Sequence, residues 1–324
     1  MIDSYPSRIL MLGATGTAGQ ATVAALIAAG HDVVCLVRNA TRAQSTLPKE
    51  VHLVETDTAD LEAFQQSVRR IQADALVSCL ASRTGAPEDA WAVDFTLHAV
   101  ALQAAKLVGL KHVVLMSAIC VQRPRLAFQL AKRAFEAELI GSGVTYSIVR
   151  PTALFKSLSG QIERVRTGRS FTLFGDGMGT ACKPISDRDL GRYMAGCLAD
   201  KSRWNKILPI GGPGPAITPR EQGDVLFELL GLPPKFTHMP IWAMSGIVAT
   251  LSAMGKVSKA MDAKAEFARI GQYYATESML VWDDDAQRYS ADSTPSTGSE
   301  TLFDHYRDLI ETGRKVDLRE HAVF

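Results

Sequence analysis

The stretch Arg8-Ile-Leu-Met-Leu-Gly-Ala-Thr-Gly-Thr-Ala-Gly19 decides the fold. An apolar run comes first, then Gly13, Gly16 and Gly19 at three-residue spacing, then an alanine-rich helical run. A strand, a glycine turn and a helix N-terminus in this order make a dinucleotide cradle. Glycine lets the backbone turn tightly and approach a pyrophosphate, and the N–H groups of the helix end bind that anion. Gly13, Thr15, Gly16, Thr17 and Gly19 are therefore expected to contact a dinucleotide.

Outward from this turn the first half alternates regularly. Runs at 8–14, 31–38, 51–57, 75–81, 112–118 and 145–151 read as strands. Their near-continuous apolarity is how parallel strands covered on both faces read. Helical patterns at 18–30, 60–72, 91–108 and 125–140 lie between them. Repeated β-α units predict an α/β fold, a doubly wound parallel sheet of the Rossmann type. An NADP-binding domain is expected over 1–151. A smaller, mainly substrate-binding lobe is expected over 152–324, with late strands and helices returning to the sheet.

In that second half, Ser186 reads as an N-cap and 206–210 as a strand. Thr218-Pro-Arg-Glu221 is a capping box with proline at the first helical position, opening a helix that stops at Gly231. A further capped helix is expected over about 299–312, and the polar stretch 283–299 reads as a surface loop. The stretch 240–255 carries no charge and is too short to span a membrane comfortably. It reads first as a buried or packing helix, and alternatively as a lid whose Met side chains and Trp242 cover a flat apolar ligand.

Hydrophobic residues make up 47% of the 324 and charged residues 21%, enough for a full core. The formal net charge is +1, so there is no electrostatic reason to expect a nucleic-acid partner. Cys35, Cys79, Cys120, Cys182 and Cys197 form no C-x-x-C pair, which fits a reducing, cytoplasmic setting. Neither a signal peptide nor a transmembrane segment is expected, leaving peripheral membrane contact open. The seven histidines show no ligand-spaced cluster, so no protein metal site is expected.

The second strand ends at Val37-Arg38-Asn39, with Arg42 one turn later. An NAD site normally places an acid here for the ribose hydroxyls. No acid is present, and a guanidinium matches a phosphate in charge and fork geometry. Arg38 and Arg42 therefore point to the 2′-phosphate of NADPH. Cys79-Leu80-Ala81 ends the fourth strand and is expected to line the path to the nicotinamide.

With these features the chain resembles the short-chain dehydrogenase/reductase superfamily in its atypical, extended branch. The resemblance implies an adenine contact for Asp57 and a cofactor-side position for Ser117 at the end of strand five. The superfamily's Tyr-x-x-x-Lys falls on Phe128-Gln-Leu-Ala-Lys132. Lys132 is retained as a nicotinamide-ribose ligand, but a phenyl ring cannot give a proton to a carbonyl oxygen. Ordinary carbonyl reduction does not follow from this site.

A narrower resemblance is carried by longer strings. Ser117-Ala-Ile-Cys-Val-Gln-Arg-Pro124, Phe128-Gln-Leu-Ala-Lys-Arg-Ala-Phe-Glu-Ala-Glu-Leu139 and Ser147-Ile-Val-Arg-Pro-Thr-Ala-Leu-Phe-Lys-Ser-Leu158 are similar to the divinyl chlorophyllide a 8-vinyl-reductases. So are Phe174-Gly-Asp-Gly177, Ala181-Cys-Lys-Pro-Ile-Ser186, Leu208-Pro-Ile-Gly-Gly-Pro-Gly214, Ile270-Gly-Gln-Tyr-Tyr-Ala-Thr-Glu-Ser-Met-Leu280 and the final Ala322-Val-Phe324. That family carries the same phenylalanine. The resemblance implies NADPH-dependent reduction of the 8-vinyl group of a tetrapyrrole, divinyl (proto)chlorophyllide, to ethyl. Hydride added to a vinyl carbon conjugated to the macrocycle leaves charge spread into the ring, so no alkoxide needs immediate protonation.

Lys132, Lys156 and Tyr273 are carried as catalytic candidates, and Phe128, Phe155, Lys156, Lys183, Trp242 and Tyr274 as substrate contacts. Cys182, Lys183 and Tyr274 are further proton-donor candidates, and His238 a candidate axial ligand for the substrate's magnesium. Two other readings stay open on this fold: an NADP-binding regulator or assembly factor, and an isoflavone-reductase-like enzyme acting on a smaller aromatic.

Overall fold

The structure, a computed structural model, describes residues 7–255 and 259–315. The terminal string Ala322-Val-Phe324 lies outside the described residues. Two compact units divide the chain. The first takes the chain through Ser82, then Pro87–Pro151 and Asp187–Pro209; the second takes Arg83–Ala86, Thr152–Ser186 and the chain from Ile210 onward.

The first unit opens with β1 (Arg8–Leu12), α1 (Thr17–Ala28), β2 (Asp32–Val37), α2 (Ala40–Gln44), β3 (His52–Glu55), α3 (Leu61–Ile71) and β4 (Ala75–Ser78). A helical passage follows: α4 (Pro87–Ala90), a π-helical segment (Trp91–Leu97) and α5 (His98–Lys106). Then come β5 (His112–Met116), α6 (Ala127–Gly141) and β6 (Thr145–Pro151). The second unit contributes α7 (Phe155–Leu158), α8 (Ile162–Arg166) and β7 (Phe171–Phe174) before α9 (Asp187–Gly196) and β8 (Lys206–Ile210).

Seven strands form one sheet in the order β3-β2-β1-β4-β5-β6-β8, and every pair from β3 to β6 is parallel. The order reverses between β1 and β4, the place where open α/β sheets bind ligands beyond the carboxyl ends of their strands. Register sets Leu12 beside both Leu36 and Ser78. Gly13, Arg38 and Cys79 therefore leave the sheet on one edge.

The strands are shorter than their apolar runs because the backbone turns early. Gly13 already has φ +74°, which ends β1 at Leu12. α3 shows the local rules at work. Asp60 caps it by accepting from the Glu62 and Ala63 N–H groups at 3.0 Å, and Gln72 ends it at φ 50°. Its Phe64, Val68 and Ile71 recur on one face and join Leu10, Leu36, Leu76, Leu102, Val113 and Phe135 in the core. Each such fully buried side chain stabilises the fold by about 1.5–3 kcal/mol. α1 is apolar all round because α9 packs on it closely: a Cβ on Gly191 would lie 2.6 Å from the Ala21 carbonyl carbon.

In the second unit, α10 (Pro219–Leu230) starts at the Thr218 capping box and stops at Gly231, φ 63°, as expected. β9 (Phe236–Met239) pairs in parallel with β7, Phe171 opposite Phe236. α11 (Ile241–Gly255) and α12 (Lys259–Thr276) pack together; β10 (Val281–Asp283), β11 (Arg288–Ser290) and α13 (Leu302–Thr312) complete the unit. Phe171, Leu173, Leu226, Phe227, Tyr306 and Leu309 form its core.

Three expectations need correction. The run 91–108 is not one α-helix, since its first part is the π-helical segment. The stretch 283–299 is not simply a surface loop. It supplies β11, which pairs with β10 at its start and sets Tyr289 against Trp282 at 5.0 Å, and it buries Thr294, whose Oγ1 accepts from Val281 N–H at 2.8 Å. Finally, 240–255 is not a core helix. Met244 is buried, but Ile241, Trp242 and Ile247 are exposed, Trp242 by 77%.

Candidate functional site

The turn after β1 is held by backbone that no side chain could share. A Cβ on Gly13 would lie 2.5 Å from the Cys79 carbonyl carbon, and one on Gly19 would lie 2.0 Å from the Gly13 oxygen. Gly16 is different: its Cβ would meet only the Gly13 oxygen, at 3.5 Å. Thr15, Gly16 and Thr17 are exposed at the start of α1, and the Gln20 side chain donates to the Thr15 carbonyl at 2.9 Å. The loop thus presents backbone and a helix N-terminus to a ligand, which fits a pyrophosphate.

Arg38 follows β2, and Arg42 sits on α2, where the Asn39 side chain accepts from its N–H at 2.7 Å. Both are exposed, and neither guanidinium is ion-paired among the described residues. An acid that the sequence reading passed over stands nearby: Glu55, at the end of β3, accepts from Ala40 N–H at 2.7 Å. Asp57 is exposed and turns the chain by accepting from Ala59 N–H at 2.8 Å.

The end of β4 carries a buried network unforeseen from sequence. Leu80 N–H donates to Ser78 Oγ at 3.2 Å, Ser78 donates to His98 Nε2 at 2.8 Å, and His98 Nδ1 donates to the Val93 carbonyl at 2.9 Å. Burial holds the His98 pKa down at about 4, so the ring stays neutral in this tautomer. Cys79 is buried against Thr22 Oγ1 at 3.4 Å, and burial pushes its thiol up to about 12. Cys79 is thus a chemically inert, buried thiol; Leu80 is half-buried and Ala81 exposed.

Lys132 is buried on α6, its Nζ 2.9 Å from Asp94 Oδ1 in the π-helical segment. Phe128 lies one turn earlier, half-buried. The buried polar atoms of this unit without a hydrogen-bond partner among the described residues include Asp94 Oδ2, Ser117 Oγ and Gln129 Nε2. Unpartnered buried atoms are costly, and a water or a ligand hydroxyl or amide would satisfy them. Ser117 follows β5 with its N–H on the Val149 carbonyl at 2.8 Å.

The second unit places the remaining candidates apart in character. Phe155 is 3% exposed and packs on His305 at 5.4 Å, a core position. Lys156 is half-buried beside it in sequence. Cys182 is buried, its thiol pushed up to about 12. The Lys183 ammonium donates to the Thr294 carbonyl at 3.0 Å and to Ser296 Oγ at 3.2 Å, so it secures the loop after β11. Tyr273 is buried and Tyr274 half-buried, their rings edge to face at 5.6 Å. His238 Nδ1 donates to the Gly175 carbonyl at 2.8 Å, which leaves Nε2 as the lone-pair nitrogen of the neutral ring.

A glycine cradle at the sheet's reversal point, with two free arginines beyond β2, defines a nicotinamide-dinucleotide-binding Rossmann protein. Residues 13–201 match the NAD(P)H-binding family model. The NADPH-dependent quinone oxidoreductase QOR2 of Escherichia coli, solved with NADPH, shares the fold: TM-score 0.68, 18% identity, 93% of this chain and 99% of that one. Among curated proteins, the chloroplastic divinyl chlorophyllide a 8-vinyl-reductase of Oryza sativa subsp. indica is 45% identical over 334 residues, covering 98% of this chain and 82% of that protein. The photosystem II assembly factor Ycf39 of Guillardia theta is 25% identical over 205 residues, 63% of this chain. The chain belongs to the divinyl chlorophyllide a 8-vinyl-reductase family.

Proposed function

We propose that this chain reduces the 8-vinyl group of a divinyl chlorophyllide or its protochlorophyllide precursor to ethyl, at the expense of NADPH. The observation that carries this reading is the extent of the likeness to the vinyl reductases. It covers 98% of the chain at 45% identity, where the assembly-factor likeness covers 63% at 25%. When bound, NADPH supplies a hydride. The vinyl C=C takes that hydride on one carbon and a proton on the other, and NADP⁺ is released.

In this reading, Gly13, Thr15, Gly16, Thr17 and Gly19 hold the pyrophosphate, Arg38 and Arg42 the 2′-phosphate, and Asp57 the adenine. Cys79, Leu80, Ala81, Ser117 and Lys132 flank the nicotinamide end. Phe128 removes the proton donor that a carbonyl reductase needs while leaving an apolar ring beside the reacting vinyl, as a macrocycle requires. Lys156 and Tyr273 are the candidate proton donors; replacing the true donor lowers kcat and leaves NADPH affinity intact.

The lipid surface is the other part of this reading. No helix among the described residues is long and apolar enough to cross a membrane. The exposed, uncharged face of α11 around Ile241, Trp242 and Ile247 suits shallow contact with an interface. Sedimentation with anionic and neutral vesicles checks it: a Trp242→Ser variant that sediments like the parent removes this contact.

The deciding experiment combines purified protein, NADPH and divinyl chlorophyllide under anaerobic conditions, followed by mass and absorbance. A product heavier by two hydrogens is expected. No turnover with NADPH binding verified would favour the regulator.

A further inference from the structure

Lys132 is buried, and its only ion-pair partner among the described residues is Asp94. The pair joins two side chains that are 10% and 0% exposed. A buried ammonium left alone is costly, so the carboxylate is part of what allows lysine to stand there. Asp94 is in turn tightly held. Its Oδ1 also accepts from Ser82 N–H at 3.3 Å. The residue before it, Val93, gives its carbonyl to His98, which is bonded onward to Ser78 at the end of β4. π-helical turns of this kind re-aim a side chain that a regular helix would place elsewhere.

The lysine side is fixed as firmly. Gln129, one turn before Lys132, accepts with its Oε1 from Arg125 N–H at 2.7 Å and Leu126 N–H at 3.0 Å, which pins the start of α6. The Lys132 charge acts on both Cys79 and His98, so the ammonium lies beside the carboxyl end of β4. A lysine is a point charge on a flexible four-carbon stem. In a site without the superfamily's tyrosine, something else must hold it in place.

We propose that Asp94 is a positioning residue, fixing the Lys132 ammonium where it meets the nicotinamide ribose. The proposal rests on the reading of Lys132 as the ribose ligand. It assigns a role to an acid in the middle of an apparently ordinary helical run, which no motif marks.

The test is a double-mutant cycle on the full chain: Asp94→Asn, Lys132→Met and the pair together, each titrated with NADPH alone by calorimetry. Each single change is expected to weaken NADPH binding about tenfold, and the pair no more than the worse single, since both act through one contact. A merely structural carboxylate would lower the melting temperature and leave affinity unchanged well below it. Asp94→Asn protein that is folded and binds NADPH within about twofold of the parent overturns the proposal, as do single losses that multiply in the pair. Should Asp94→Asn fail to fold, the pair buries no lone charge and is compared with Lys132→Met: equal affinity upholds the positioning role, and a further loss overturns it. Unchanged NADPH binding by Lys132→Met instead strikes the ribose reading itself.

Discussion

Gly19 faces the carbonyl of Gly13 so closely that a single methyl on Gly19 would lie 2.0 Å from that oxygen. The two glycines hold the cradle shut, whereas Gly16 opens onto the ligand side. The three are therefore expected to fail differently. Gly13→Ala, strained by its positive φ as well as by contact, and Gly19→Ala are each expected to destabilise the protein by about 2–5 kcal/mol. Gly16→Ala is expected to melt near the parent and to lose NADPH affinity by about tenfold, since its methyl takes up the approach of the pyrophosphate. Thermal melts paired with NADPH titrations separate the two classes, and a parent-like Gly19→Ala would contradict the packing.

In the proposed reading, the exposed guanidinium groups of Arg38 and Arg42 set the cofactor preference. Arg38→Asp is expected to weaken NADPH binding by on the order of 10–100-fold, the scale of one charge-assisted contact, while NADH binding changes little. Equal losses for both nucleotides would remove the 2′-phosphate assignment. Glu55, already engaged with Ala40 N–H, sits at the start of the same short helix. Glu55→Gln is expected to raise NADPH affinity a few-fold by removing like charge near the phosphate, an effect that salt should diminish.

Much of the first unit, and α10 of the second, was legible because the signals are local. Buried parallel strands are short apolar runs, the glycine spacing marks the turn, and Thr218 with Glu221 announces a helix by its own hydrogen bonds. The β7–β9 pairing was not legible: Phe171 and Phe236 are far apart in sequence, and each strand is four residues long. Nor was the exposure of Trp242, because an uncharged helix reads the same whether it is covered or bare. In the site, the glycines and Arg38 declared themselves by position. Asp94 and His98 did not, because their roles depend on a π-helical turn inside what reads as one continuous helix.

Two buried histidines make stability depend on pH. His98 and His112 are both held down from 6.5 to about 4, chiefly by burial. His112 lies against Ser147 Oγ at 3.0 Å and Trp204 at 5.3 Å. Both rings are neutral when folded and take up protons when unfolded, so the unfolded state binds more protons between these values. Stability is present above about pH 6.5 and is lost as pH falls toward 4, at a limit of about 3 kcal/mol for each ring. Denaturant unfolding at pH 7.0 and at pH 5.5 is the check. His112→Gln is expected to flatten the dependence; an unchanged slope would mean that the ring is not the source.

Gly191 on α9 ties the far side of the sheet to the cradle. Its missing side chain lets α9 lie against the Ala21 backbone of α1, where a Cβ would come within 2.6 Å of a carbonyl carbon that cannot move alone. Relief requires α1 to shift, and α1 carries Thr17 and Gly19 at its N-terminus. Gly191→Ala is expected to cost about 1–3 kcal/mol, as overpacking does. It is also expected to weaken NADPH binding several-fold without touching the nucleotide, because the helix end that faces the pyrophosphate moves with the helix. Gly30→Ala is the control: with φ +83° it is strained, yet its Cβ meets nothing within 4 Å. That variant is expected to lose stability alone. If Gly191→Ala lowers the melting temperature but binds NADPH as the parent does, α1 absorbs the methyl locally and the helix does not transmit the shift.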